Sequence, residues 1–472
     1  MNPFKVETKD INDYFLSLEK AYPKAYDKKK TGPYTKCRVI LMNGTEYESV
    51  WFMHQFARHC DNDEILEALS VVRKQEQQQQ KRIACLKPIN ESILETTIAY
   101  EQLAVDLTAC LAKYETDANN KKALDFALLE DFDHLYRFSN LLKIDKGVDA
   151  KMLVGGFTEI TPGRPTIAEH RYPTQDLKNH MNAKKSSVYS KLVAGIITAA
   201  EQQTMNYYMN IAQWYKNNLG RKLYSEIAMI EEEHVSQYES LKDPNCSWLE
   251  QWVMHEFTEC YLYFSAMKSE KDDRIRGIWE EHFEMECAHL KIASNLLEKY
   301  EKKRYKDVVG NGDFPVLLEL GSNKEYVREV LKNTVTNTTL NKKYLDICDL
   351  PKNNVYEEYQ RKVVDEKTEP AHLVIEKTIE ILGKDYRYED SSNPVKSLQN
   401  RKQDNVTLGR KCRWSNLPKD ISKWNVFFLK THPQEQGNRN KKNDKNLLNK
   451  ARSLYNNHAW SFPQKRKSSF YG

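Results

Sequence analysis

Apolar and polar positions follow a helical period over most of the chain. Apolar residues recur every three or four positions in long segments, which predicts amphipathic helices rather than strands. Short polar stretches such as "ETDANN", "KDPN" and "SEKD" separate these segments and carry helix-stop and N-cap residues. The central helices are predicted to cover residues 91–114, 121–142, 187–216, 219–241, 247–267 and 273–300.

The flanking regions are less regular. Residues 1–47 are expected to be irregular. Two helices around a turn at 61–63 are predicted to follow, and Gly and Pro are expected to break helical structure over residues 143–182. The sequence therefore predicts an all-α fold without a long β segment. Its predicted parts are an N-terminal helical extension (1–92), a helical bundle (93–300), a C-terminal helical region (301–390) and a basic, partly disordered tail (391–472).

Three predicted helices carry an acidic residue three positions before a histidine, which places both side chains on one helix face. In each case a further glutamate lies 30 positions before the acid. Acidic residues make up only 67 of 472 positions, so this agreement in all three copies is not expected by chance. The three sets are Glu101/Asp131/His134, Glu201/Glu231/His234 and Glu256/Glu286/His289. A fourth pair, Glu369/His372, lacks the upstream glutamate and is interrupted by Pro370, so we interpret it as structural.

The spacing identifies a repeated helical hairpin over residues 93–143, 187–241 and 247–300, here the first, second and third hairpins. About 30 residues covers half a helix, a turn and half of the returning helix, so the carboxylates and the imidazole reach one level. Two facing hairpins would supply four carboxylates and two imidazoles, which suits a pair of first-row metal ions. The rest of these faces is apolar, so the carboxylates need a partner.

These residues resemble the ferritin-like di-metal carboxylate superfamily of ferritins, rubrerythrins, manganese catalases and carboxylate-bridged di-iron oxygenases. The resemblance covers residues 93–300 and implies a ferritin-like four-helix bundle with a di-metal centre. It departs from the family in having three hairpins where two suffice, and in carrying Asp131 where Glu is usual. The ligands that it implies are Glu101, Asp131, His134, Glu201, Glu231, His234, Glu256, Glu286 and His289.

Two pairings of the hairpins are compatible with the sequence. The first and second hairpins are joined by about 40 residues and can form the usual site, with the third adding ligands or a vestigial site. Alternatively, the second and third hairpins form it, although their linker, residues 242–247, is too short to cross the bundle. Both pairings involve the second hairpin, so Glu201, Glu231 and His234 are the ligands common to them.

Other polar residues near the motifs are interpreted as structural before functional. Glu259 is interpreted either as an extra ligand or as a supporting carboxylate. The segment "EHRYP" at 169–173 is interpreted as a loop salt bridge, with a pocket wall as the alternative. "WFMHQF" resembles "WVMHEF" of the third hairpin, with Gln55 in place of Glu256, and is at most a decayed copy. Supporting or surface positions are expected for His255 and His282, and core positions for Tyr208, Tyr238 and Tyr263.

Charge and composition indicate the role of the tail and the expected location of the protein. The net charge of +5 is unevenly distributed. The tail from Val395 has 18 Lys and Arg against 4 Asp and Glu, and the rest of the chain has a net charge of −9. We interpret the basic tail as solubilising rather than as a nucleic-acid contact. The nine cysteines form no CxxC pair, and neither a signal peptide nor a membrane span is evident, so a cytoplasmic location without membrane contact is expected.

The sequence thus predicts a redox enzyme with a di-iron or, less favoured, di-manganese centre, acting on O2 or peroxide and in some versions on a small organic substrate. No dinucleotide-binding, Walker or nucleophile-elbow motif points elsewhere. Iron oxidation without an organic substrate is one alternative, although the chain is long for a storage subunit. A non-catalytic helical scaffold is the other alternative.

Overall fold

Long helices make up most of the chain in the computed structural model, which describes residues 1–163, 169–351, 355–363, 369–386 and 395–396. The predicted all-α class is confirmed, with one small antiparallel sheet in the described part. Its strands are β1 (Asn337–Leu340) and β2 (Lys343–Asp346). The helices are α1 (Leu18–Ala21), α2 (Pro33–Arg58), α3 (Asp63–Ala84), α4 (Ile93–Tyr114), α5 (Ala118–Lys146), α6 (Ala150–Leu153), α7 (Val188–Trp214), α8 (Asn218–Glu239), α9 (Trp248–Ser269), α10 (Asp273–Glu301), α11 (Tyr305–Val309), α12 (Lys324–Thr334), α13 (Val355–Val363) and α14 (Pro370–Leu382).

The eight longest of these helices pack as four consecutive hairpins. The pairs α4–α5, α7–α8 and α9–α10 are the first, second and third hairpins, and α2–α3 is a further one, here the N-terminal hairpin. The expectation of irregular chain over residues 1–47 is therefore wrong from Pro33 onward. Pro33 starts α2 with a φ angle suited to the first helical turn. The polar residues that concealed this helix, such as Thr45, Glu46 and Ser49, are buried.

The four hairpins pair in a nested order along the chain. The first and second hairpins pack together through α4–α7, α5–α7 and α5–α8, and we call them the inner group. The N-terminal and third hairpins pack through α2–α9 and α3–α10 and form the outer group. Contacts of α2 with α4 and α7, and of α9 with α7, hold the two groups side by side. The second and third hairpins, although adjacent in sequence, thus belong to different groups.

Side-chain caps fix where the long helices begin. Ser92 with Glu95 and Ser247 with Glu250 form capping boxes at α4 and α9. Asp272 caps α10 by accepting backbone hydrogen bonds. Asp272 lies in the predicted turn "SEKD", whereas Ser92 and Ser247 lie at the predicted starts of their helices, and the helix bounds agree with the prediction to within a few residues.

The C-terminal region packs on the inner group. Helices α12 and α14 both contact α5, and α14 also contacts α8. Residues 301–390 were expected to be helical, but β1 and β2 form a hairpin whose turn residues Asn341 and Lys342 have φ angles of 49° and 65°. Positive φ at both positions is typical of a tight hairpin turn, and Thr338 and Thr339 favour a strand. Residues 391–394 and 397–472, nearly all of the basic tail, lie outside the described residues.

None of the helices in the described part of the chain is both long enough and apolar enough to cross a bilayer.

Candidate metal centres

Six of the nine predicted ligands converge inside the inner group. They fall into two donor sets, and in each set the donor atoms lie within 4.8 Å of one another. One set is Glu101, His134 and Glu231, and the other is Asp131, Glu201, Glu231 and His234. Glu231 belongs to both sets, so the inner cluster offers two adjoining positions for a cation with one carboxylate between them. All six side chains are buried.

Both histidines of the inner cluster turn the same ring nitrogen toward the carboxylates. Nδ1 of His134 lies 3.1 Å from Glu231 Oε1, and Nδ1 of His234 lies 3.0 Å from Glu231 Oε2. The opposite nitrogens are held from outside, with His134 Nε2 at 3.0 Å from Glu169 and His234 Nε2 at 2.8 Å from Glu130. Histidine ligands of metals are commonly held in this way, because a hydrogen bond at one nitrogen leaves the lone pair of the other facing the metal.

Several oxygens of the inner cluster have no hydrogen-bond partner within the described part of the chain. Both carboxylate oxygens of Glu201 are in this state, as are Glu101 Oε2, Asp131 Oδ1 and Glu231 Oε2. A buried carboxylate oxygen without a partner is costly, and native proteins rarely leave such groups together. Cations bound among these oxygens would satisfy them, so the residues present fit a metal centre.

The ionisation of the inner cluster is uneven. Burial, reinforced by the neighbouring carboxylates, raises the pKa of Glu101 and Asp131 and brings the pKa of Glu201 to about 7. Burial alone would also raise the pKa of Glu231, but the imidazoles of His134 and His234 lower it to about 2. The carboxylate shared by the two donor sets is therefore the one held most firmly in its charged form.

The segment "EHRYP" supports this cluster from the long connection. Glu169 holds His134, and Arg171 forms ion pairs with Glu130 at 2.6 Å, Asp176 at 2.8 Å and Glu233 at 3.0 Å. Both interpretations of this segment hold in the structure, because Arg171 forms buried salt bridges and His170 lines a cleft. The roles of Glu130 and Glu169 were missed because neither belongs to the repeated spacing.

The other three predicted ligands lie in a second cluster, inside the outer group. Glu256, Glu286 and His289 face Glu76 of the N-terminal hairpin, and these four form one donor set. A second set consists of Glu46, Glu76 and Glu259, so Glu76 is shared here as Glu231 is in the inner cluster. The first and second hairpins thus face each other, as in one predicted pairing, and the third hairpin faces a hairpin that the sequence analysis missed.

The N-terminal hairpin follows the repeat with one change. Glu46 and Glu76 are 30 positions apart, and Gln79 occupies the position of the histidine, 33 positions after Glu46. This copy was missed because it has no histidine three positions after its second acid. The spacing of its two carboxylates is nevertheless that of the other hairpins. Gln55, interpreted from the sequence as at most a decayed copy, lies nine residues after Glu46. That spacing is half a turn out of phase and places it on the opposite helix face.

The remaining candidates take supporting positions. The hydroxyl of Tyr208 donates to Glu101 and that of Tyr263 donates to Glu46. His282 Nδ1 lies 3.0 Å from the Tyr263 hydroxyl, and His255 Nδ1 lies 3.1 Å from Glu48. His372 Nδ1 lies 2.7 Å from Glu369 Oε2, and this local contact is apart from the two clusters.

Comparison with known proteins assigns no family. No family model matches the chain, and neither a curated protein nor a solved structure matches it. The structure itself gives a helical protein with two buried carboxylate and histidine clusters, each of which can hold metal ions.

Proposed function

We propose that the protein is a metal-dependent oxidoreductase that uses a pair of first-row metal ions in the inner cluster, in the manner of the ferritin-like di-metal carboxylate superfamily. The observation that carries the proposal is the sharing of Glu231 between two donor sets. One carboxylate between two cation positions is the arrangement that a bridged pair of ions requires. The oxygens without partners and the orientation of both imidazoles support the same arrangement.

The donor set favours iron, with manganese as the alternative. Four carboxylates and two imidazoles suit divalent first-row metals of intermediate hardness. When bound, a redox-active pair of this kind would supply the electrons for reaction with O2 or peroxide. The protein's part is to hold these donors in a dry interior, with Glu130 and Glu169 fixing the two imidazoles and Arg171 fixing Glu130.

Tyr208 adds a proton donor beside this cluster. Its hydroxyl donates to Glu101, and burial together with the charge of Glu101 raises the pKa of the phenol. The phenol therefore keeps its proton at neutral pH and holds it toward the carboxylate.

A cleft beside the inner group supports an organic substrate. It has a volume of about 840 Å³ and is lined by residues of α7 and α8, including Met209, Arg221 and Glu226. His170, on its wall, follows Glu169, which contacts His134. A space of this size accommodates a small molecule. The cleft is thus lined by the residue that follows Glu169, the glutamate whose side chain orients His134 of the inner cluster.

Iron oxidation without an organic substrate is the second candidate. The observation in its favour is the outer cluster, because a second acidic cluster in the same chain offers a further place for iron. A purely structural role is less favoured, since a polar network that only stabilised the core would pair its own oxygens.

Metal content tests the proposal directly. The purified full-length protein would be loaded anaerobically with Fe2+ or Mn2+, desalted and analysed for bound metal beside Glu231→Ala and His234→Ala. We expect both variants to lose about two ions per chain, as a bridged pair implies. Glu232→Ala is the matched control because Glu232 is exposed on the same helix.

The outcome also separates the candidate activities. Equal metal content in Glu231→Ala, His234→Ala and the wild type would overturn the inner metal centre. O2 consumption with slow turnover of peroxide would favour an oxygenase, and rapid peroxide decomposition a catalase-like enzyme. Uptake of many iron ions per chain would favour iron storage.

A further inference from the structure

The outer cluster repeats the design of the inner cluster with different donors. Glu46, Glu76 and Gln79 match Glu101, Asp131 and His134 in spacing, and the third hairpin supplies the facing set. We propose that the outer cluster is a second, separate metal centre, and that its affinity for Mn2+ relative to Fe2+ is higher than that of the inner cluster.

Oxygens without partners are concentrated at the outer cluster. Both oxygens of Glu76 lack a hydrogen bond from any described residue, as do Glu46 Oε2, Glu256 Oε2 and Glu259 Oε1. All four side chains have 0% of their surface exposed. Five buried carboxylates, with Glu286 as the fifth, form two donor sets that contain a single imidazole, that of His289, and His255 Nε2 lies 3.5 Å from Glu259 outside these sets. Protein groups therefore balance far less of the negative charge here than a buried position requires, and cations are the partners that fit.

His289 is oriented as a metal ligand. Its Nδ1 lies 2.9 Å from Glu76 and 3.0 Å from Glu286, while its Nε2 lies 2.8 Å from the side-chain oxygen of Gln75. An amide oxygen can only accept, so Nε2 carries a hydrogen, and Nδ1 is the nitrogen that a cation among the carboxylates would contact. This is the orientation of both histidines of the inner cluster, and it points to a cation among the same carboxylates.

Two substitutions shift the donors of the outer cluster toward oxygen. Gln79 replaces the second imidazole, and its amide nitrogen donates to Glu286 and Glu46 instead. Glu259 adds a carboxylate at the position that Thr204 occupies in the second hairpin, three residues after the upstream glutamate. Carboxylates and carbonyls suit Mn2+, Mg2+ and Ca2+, whereas imidazoles suit iron, zinc and copper.

The outer centre is independent of the inner centre in its ligands. The donor sets of the two clusters have no residue in common, and the clusters lie in different hairpin pairs. The inference therefore does not rest on the redox function proposed for the inner cluster, and each centre can be removed without touching the ligands of the other.

Matched variants of the two shared carboxylates test the inference. Glu76→Gln and Glu231→Gln each remove one shared charge with little change of volume, and circular dichroism and thermal melting would establish that both are folded. The full-length proteins would be incubated anaerobically with equimolar Mn2+ and Fe2+, desalted and analysed for both metals. We expect the Mn:Fe ratio retained by Glu231→Gln, in which the outer centre is intact, to be several-fold higher than the ratio retained by Glu76→Gln.

The results distinguish the two proposals. Equal Mn2+ content in Glu76→Gln and the wild type, or no metal in Glu231→Gln, would overturn the outer centre while leaving the inner one untouched. Equal Mn:Fe ratios in the two variants would overturn its higher relative affinity for Mn2+. Gln79→His in the Glu231→Gln background supplies a gain of function, because the added imidazole should raise the retained Fe2+ several-fold. Unchanged Fe2+ retention would contradict the role given to Gln79.

Discussion

At the scale of single residues, the two clusters share an electrostatic pattern. In each of them the acid common to both donor sets has a lowered pKa, since the imidazole charges outweigh the burial of Glu231 and of Glu76. The surrounding carboxylates have raised pKa values, and burial and mutual repulsion bring the pKa of both Glu201 and Glu286 to about 7. Each cluster without metal therefore keeps one fixed charge and several protons, and binding a cation must release protons.

Arg171 is the residue whose loss should cost most outside the clusters. Its guanidinium is buried and pairs with Glu130, Asp176 and Glu233. Arg171→Met would leave three carboxylates without their cation and should lower the free energy of unfolding by roughly 3–5 kcal/mol. Urea denaturation measures this change.

Arg276→Met is the matched control for Arg171→Met. Arg276 also forms a short ion pair, 2.6 Å from Asp273, but the two side chains are 44% and 85% exposed. Its removal should cost about 1 kcal/mol or less. A similar cost for both variants would contradict the structural role of Arg171.

Asp106 should make stability depend on pH. It is buried, accepts hydrogen bonds from Thr158 at 2.6 Å and Tyr34 at 3.1 Å, and burial raises its pKa to about 7. The folded protein therefore keeps a proton that the unfolded chain releases above about pH 4. The stability from this proton is complete below about pH 4 and is lost as the pH rises through about 7.

Asp106→Asn removes the titration and keeps an acceptor in place. The free energy of unfolding of the wild type, relative to this variant, should fall by roughly 2 kcal/mol between about pH 5 and about pH 8. Denaturation of both proteins across this range measures the difference, and groups common to both cancel. Parallel pH profiles would show that Asp106 is ionised in the folded state.

At the scale of elements, the sequence predicted the central helices and missed the N-terminal hairpin. The first, second and third hairpins have regular apolar faces and clear caps, so period and turn chemistry were sufficient. Helix α2 buries polar residues such as Thr45, Glu46 and Ser49 against other helices, which conceals its inward face. Its partner α3 carries glutamines where the other hairpins carry histidine and apolar residues.

Only those site residues that follow the repeated 30-residue spacing could be predicted from the sequence. The spacing of 30 residues identified all nine proposed ligands, but each hairpin supplies half a cluster, and which halves meet depends on packing between distant segments. Glu130 and Glu169 hold histidines from positions that follow no repeat, so only the structure places them beside the inner cluster.

A close approach of two helices should make Gly44 intolerant of any side chain. It lies within α2 where this helix contacts α7, and a Cβ atom there would be 2.8 Å from Gln203 Nε2 and 3.0 Å from Gln203 Cβ. Gly44→Ala should lower the free energy of unfolding by roughly 1–3 kcal/mol, because this crowding outweighs the gain in helix propensity. Chemical denaturation measures the change.

Gly277→Ala is the control for the change at Gly44. Gly277 lies within α10, is exposed, and a Cβ atom there would have no neighbour within 4 Å. The same substitution should therefore raise stability by roughly 0.5–1 kcal/mol. Stabilisation by both changes would contradict a tight contact between α2 and α7.

At the scale of the whole molecule, metal binding should contribute to folding stability, because both clusters lie in the cores that join the hairpins. Adding Mn2+ to metal-free protein at about 100 times the dissociation constant should stabilise it by about 2.7 kcal/mol for each occupied site. Thermal denaturation with and without the ion measures the shift.

The double variant Glu76→Gln/Glu231→Gln is the counterpart of this experiment. It should lose most of the metal-dependent shift, and its metal-free form should be less stable than metal-free wild type, because the buried imidazoles lose the carboxylates with which they pair. An undiminished shift in this variant would place the stabilising ions elsewhere.

The nested pairing of the hairpins also sets an order for the protein's synthesis. The inner group is complete once α8 has left the ribosome, whereas α2 and α3 must wait for the third hairpin, whose last residue, Glu301, lies 217 positions after Ala84. At about 5–20 residues per second, this interval is on the order of ten seconds or more. During it the carboxylates of the N-terminal hairpin have no facing helices. Nascent chains arrested near residue 280 should therefore resist protease across α4–α8 and be cleaved within α2–α3, whereas the released protein should resist in both regions.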